Sequence, residues 1–93
     1  MMYIKVAWSH KFPDEPVLYF SELGDDKCEN RKVQLYRDGS SEWASKNFET
    51  ATVGLAEIPF PSLEEISSTA EFIAEEIAPE EFDRVWSEAR SGS

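Results

Sequence analysis

Asp38-Gly39, set between two segments of alternating polarity, restricts this chain more than any other dipeptide in it. Aspartate and glycine tolerate the left-handed backbone of tight hairpin turns, so the dipeptide reads as a β-hairpin. Side chains alternate across a strand, and the loop length therefore decides which residues share a face. A two-residue loop of Asp38-Gly39 sets Leu35 opposite Glu42 and Val33 opposite Ala44. A three-residue loop of Arg37-Asp38-Gly39, with Gly39 left-handed at a bulge, sets Val33 opposite Trp43 and Leu35 opposite Ser41. The second keeps Trp43 on the apolar face. The three-residue loop is expected.

The segments around the hairpin read as strands first and helix last. Ile4, Val6 and Trp8 alternate with Tyr3, Lys5 and Ala7, the period of a half-buried first strand. Val17 to Phe20 carries apolar residues on both faces, as a central strand does, and Gly24-Asp25-Asp26 is turn chemistry. Arg31 to Arg37 is the third strand. Ala51 to Phe60 reads as a weaker fifth strand, with Gly54 marking a bulge and Pro59 and Pro61 its exit from the sheet.

Ser62-Leu63-Glu64-Glu65 fits a capping box and opens a short helix that Leu63 and Ile66 dock. Ala70 to Ile77 fits both helix and extended chain. Pro79 then fits a first helical position, with Glu80, Glu81 and Asp83 at the positive end of the dipole. Phe82, Val85, Trp86 and Ala89 form one apolar stripe. The fold class that follows is α+β: an antiparallel sheet of four to five strands with a short helix and a C-terminal amphipathic helix packed on one face. Residues 1–90 form one domain, and 91–93 read as a frayed tail or a cloning remnant. A single-layer sheet of this size leaves little depth for a cleft.

Apolar residues make up 41% of the 93 residues and aromatics 13%, enough for a core. The formal net charge is −10, the wrong sign for gripping a phosphate backbone, so nucleic acid is not the expected partner. One histidine and one cysteine exclude a conventional zinc site and a disulfide within the chain. No cofactor is expected. The N-terminus lacks the charged start and apolar stretch of a signal peptide, and no run approaches the roughly 18 apolar residues of a membrane span. The cytoplasm is the expected compartment, where a lone Cys28 stays reduced.

His10 with Asp14 and Glu15 is the one cluster with acid/base potential, since a carboxylate can orient or charge an imidazole. No second histidine or evident nucleophile accompanies it, and a loop-organising role is expected. Cys28 lies among Asp25, Asp26 and Glu29, which disfavour a thiolate. Those acids lack the spacing and central glycine of an EF-hand loop.

The charge itself is unevenly spread. Residues 63–93 hold nine acids and two bases, net −7, whereas 1–62 are net −3. Helix-dipole placement accounts for Glu80, Glu81 and Asp83. Adding Glu71, Glu75 and Glu76 concentrates like charge that a basic partner would relieve.

Tyr3-Ile4-Lys5-Val6-Ala7-Trp8, His10, Phe12-Pro13-Asp14-Glu15-Pro16, Tyr36-Arg37-Asp38-Gly39, Leu63-Glu64-Glu65-Ile66 and Pro79-Glu80-Glu81-Phe82 together give a specific signature. Through them the chain resembles a family of small acidic bacterial proteins of unknown function. The resemblance implies a bacterial source and a single domain, and it implies no activity.

The expected function is therefore a small acidic non-catalytic binding protein, such as an immunity protein or inhibitor capping a basic bacterial toxin like a nuclease. Glu71, Glu75, Glu76, Glu80 and Glu81, with Tyr36 and Trp43 as aromatic anchors, are the expected partner-binding residues. A monomer or weak homodimer without membrane attachment goes with this reading. The alternatives are a small enzyme or enzyme subunit using His10 with Asp14 or Glu15, and a structural domain self-associating through a sheet edge.

Overall fold

The computed structural model describes residues 1–12, 15–45, 62–68 and 70–91. Its elements, in chain order, are β1 (Met2–Trp8), β2 (Pro16–Leu23), β3 (Glu29–Tyr36), β4 (Ser41–Ser45), α1 (Leu63–Ser67), β5 (Phe72–Glu76) and α2 (Pro79–Ser91). The strands form one five-stranded antiparallel sheet in the order β4-β3-β2-β1-β5, with β2 at its centre.

The hairpin takes the three-residue form. Val33 stands opposite Trp43 and Leu35 opposite Ser41. The Tyr36 N–H donates to the Ser40 carbonyl at 2.9 Å, and Gly39 N–H donates to the Tyr36 carbonyl at 3.0 Å. Gly39 has φ +90°, the left-handed region that glycine enters at no steric cost. The Asp38 carboxylate accepts from the Ser40 amide and hydroxyl at 2.9 and 2.6 Å. In the β2–β3 turn the left-handed residue is Lys27, with φ 67°. Asp26 braces that turn by accepting the Cys28 N–H at 3.0 Å.

Alternation along the strands sends two apolar sets to opposite faces. Phe20 and Val33 face α2 and meet Phe82, Val85 and Ala89, with Tyr3, Leu18, Leu35, Trp43 and Trp86 around them. Ile4, Val6 and Leu23 face the other way and meet Leu63 and Ile66 of α1. The α+β architecture is the one expected: α2 covers one face of the antiparallel sheet, and the short helix α1 lies against the opposite one. Both faces of the first strand carried large side chains, so each had to be covered.

Helix α2 begins at Pro79, as its fixed φ favours, and its stripe is the one expected. Phe82 has no exposed surface, and burial of such a side chain contributes roughly 1.5–3 kcal/mol. The helix runs through Ser91. Ser62 caps α1 by accepting the Glu65 N–H at 3.2 Å.

Arg31 ties α2 to the sheet. Its Nε and Nη2 donate to the two Glu22 carboxylate oxygens at 2.9 and 2.5 Å, and Nη2 also reaches Asp83 of α2 at 3.3 Å. The guanidinium lies 4.9 Å from the Phe82 ring centroid and 5.1 Å from Trp86. Arg90 stacks similarly on Trp43 and Trp86, whose own rings meet edge to face at 5.2 Å.

The fifth strand of the sheet is Phe72–Glu76, inside the stretch that fitted both helix and extended chain. The strand expected over 51–60 lies outside the described residues. No helix among the described residues is long and apolar enough to cross a membrane.

Candidate functional site

Strand β5 is the outermost described strand on its side of the sheet, and it pairs with β1 alone among the described strands. The Ser9 N–H donates to the Glu71 carbonyl and the Ile77 N–H to the Tyr3 carbonyl, each at 2.8 Å. In an antiparallel ladder this phase turns the odd residues toward β1 and the backbone groups of Phe72, Ala74 and Glu76 outward. Ser67, at the end of α1, accepts the outward Ala74 N–H at 3.2 Å.

Side chains on β5 split between the faces. Phe72 and Ala74 point toward the α1 face and join its apolar cluster. Glu71, Ile73 and Glu75 share the other side by strand parity. Ile73 is 67% exposed there, because α2 docks over β1 to β4 and leaves β5 bare. Glu71, Glu75 and Glu76 are exposed, Glu80 is exposed on the first turn of α2, and Glu81 is half-buried beside it. Glu64 and Glu65 of α1 add two exposed carboxylates on the adjoining helix. Lys5 stands directly opposite Glu75.

Of the five expected glutamates, Glu71 and Glu75 share one face beside the outermost described strand, Glu76 lies by parity on the other, and Glu80 and Glu81 follow on the first turn of α2. Tyr36 and Trp43 do not join them. By parity they occupy opposite faces, and β4 lies four strands from β5, about 19 Å at ~4.8 Å per strand. The Tyr36 hydroxyl donates to Glu42 at 3.1 Å, and burial first, then that bond, pushes its pKa up to about 12. Trp43 is half-buried under α2. The apolar residue that does stand on the rim is Ile73. Sequence reasoning missed it, because an isoleucine in an ambiguous segment looks like core.

His10 has both ring nitrogens engaged. Its Nδ1 accepts the Phe12 N–H at 3.0 Å, so the tautomer carries its proton on Nε2, which donates to the Pro16 carbonyl at 2.7 Å. The ring lies 4.0 Å from Trp8 and 5.6 Å from Phe12, centroid to centroid. This is a loop anchor in geometry. Glu15 is exposed, and Asp14 lies outside the described residues. The Trp8 indole N–H is buried without an acceptor among the described residues.

A groove of 520 Å³ separates the hairpin turn from α2. Leu35, Val85 and Ala89 floor it, with Ser40, Ser41 and Glu88 at its edge. Glu88 is the titratable side chain in that lining. Among the described residues no three His, Cys, Asp or Glu side chains converge as metal ligands do.

Fold and rim together define an α+β domain with an acidic sheet edge. The family described as a domain of unknown function (DUF6881) matches residues 2–91, and the chain belongs to it. No curated protein and no solved structure matches the chain.

Proposed function

We propose that this chain is a non-catalytic binding protein that presents the β5–α2 rim to a basic protein partner. In its most specific form, it is a bacterial immunity protein acting in the cytoplasm as the inhibitor of a basic toxin such as a nuclease. The observation that supports the reading is that Glu71 and Glu75 flank an exposed Ile73 on the outermost described strand, with Glu76 on the same strand and Glu80 and Glu81 following on the first turn of α2. An apolar anchor flanked by charge is how interfaces divide affinity from encounter rate. A nuclease carries a basic surface because it must hold phosphates, and an acidic rim complements that field. The occupied nitrogens of His10 favour binding over acid/base chemistry.

Self-association through β5 is disfavoured by charge. Two β5 strands paired antiparallel about Ile73 would set Glu71 of each copy against Glu75 of the other, and like charges directly opposite destabilise. The test is a charge reversal. A tagged wild-type chain is used to isolate its natural partner, and the association rate is measured with Glu71→Lys, Glu75→Lys and Glu80→Lys combined. The reversed form is expected to associate more slowly at low salt and to match wild type at high salt. Equal rates at low salt would discard the reading.

A further inference from the structure

We infer that β5 takes its partner by strand addition, accepting an extended basic segment as a sixth strand of the sheet. The inference rests on the acidic-rim reading and adds the mode of binding. Three features of the edge carry it. First, the backbone groups of Phe72 and Glu76 point away from β1, and no other described strand pairs with them. Second, the face beside them carries Ile73 between Glu71 and Glu75 at two-residue spacing. A strand laid antiparallel along this edge places alternate side chains opposite those three positions. Its complement is a segment reading base, any residue, apolar, any residue, base. Third, the same charges exclude a second copy of this chain, which is acidic where the complement must be basic.

Ser67 completes the picture. Its hydroxyl takes the Ala74 N–H, the central outward donor, and so blunts the edge in the free protein. A carbonyl of the incoming strand can replace that single exposed hydroxyl. Ser67 is then a guard whose removal strengthens binding. The sheet edge stays protected against indiscriminate pairing, while a segment of matching charge has enough contacts to displace the hydroxyl.

The experiment uses the full chain and a capped peptide of about nine residues, a common strand length, alternating lysine with threonine around a central isoleucine. Amide hydrogen exchange and binding are measured at low and high salt. A second peptide carries N-methyl groups on the amides that would face β5, keeping its charge and losing its donors. The plain peptide is expected to slow exchange at Phe72 and Glu76 and to bind more weakly as salt rises. The methylated peptide is expected to bind several-fold more weakly and to leave exchange unchanged. Ser67→Ala is expected to tighten the plain peptide by about two- to tenfold, the worth of one hydrogen bond.

Glu76→Pro removes an outward donor that an edge strand can spare, and it should weaken binding beyond the charge control Glu76→Gln. Equal, salt-dependent binding of both peptides overturns strand addition and leaves the acidic rim standing. Binding of the plain peptide that ignores salt overturns both. If the plain peptide does not bind, strand addition is overturned, and the charge-reversal rates decide the rim separately.

Discussion

Replacing Glu22 by glutamine isolates the electrostatic joint between sheet and helix. Glu22 is 6% exposed and receives both Arg31 donors, while the Arg31 side chain is 25% exposed and also reaches Asp83. Breaking a fully buried ion pair costs about 3–5 kcal/mol, and an exposed pair is worth about 0–1 kcal/mol. The amide can still accept one Arg31 hydrogen bond, and Asp83 still faces the guanidinium. A loss of about 2–3 kcal/mol is expected at neutral pH, out of a total on the order of 5–14 kcal/mol at this length. The Arg31 hydrogen bonds hold the Glu22 carboxyl below its ordinary range, against the opposing effect of burial and with help from the Tyr3 hydroxyl.

A folded value below the unfolded one gives stability that is complete above the unfolded pKa. That stability is lost as pH falls through the folded value. Urea denaturation of both forms, at pH 7 and down an acid series, is the assay. The gap between wild type and Glu22→Gln should be full at pH 7 and narrow steadily below about pH 4, where unfolded carboxylates protonate. A gap that stays constant into acid, or none at pH 7, would refute the Arg31 joint.

Trp86→Ala removes a half-buried ring packed between Trp43 and Phe82 and should cost about 3 kcal/mol, the low end for such truncations, as read from the urea midpoint. Gly39→Ala meets no atom within 4 Å but must hold φ +90°, so a loss of about 1–2 kcal/mol is expected from backbone strain alone. His10→Ala should destabilise the 10–16 loop by about 1–2 kcal/mol through two lost hydrogen bonds, seen as faster amide exchange at Phe12. It should leave partner binding at β5 unchanged.

The hairpin register and α2 were legible because their signals are local. Alternation beside Asp38-Gly39 and a four-residue stripe behind Pro79 need no distant partner to be understood. Strand β2 runs on past Phe20 through Ser21 and Glu22, polar residues whose place in the sheet depends on a partner distant in sequence, Arg31 opposite Glu22. Strand β5 was illegible for a related reason. Glu71, Glu75 and Glu76 spoil both periods, and pairing with β1 decides the conformation. The acids of the site were legible by count. The place of Glu71, Glu75 and Glu76 on an outer strand needed the sheet order, which separates them from Tyr36 and Trp43.

The most direct measurement is the association rate of the wild-type chain with its isolated natural partner across a salt series. Solvated rim charges act at a distance through their summed field, which the Debye length limits to ~10 Å at 0.1 M and ~3 Å at 1 M salt. The predicted result is a rate that falls steeply over that range while the dissociation rate changes little. A flat association rate would contradict an acidic rim that steers a basic partner, and would reduce the nine carboxylates of residues 63–93 to solubilising charge.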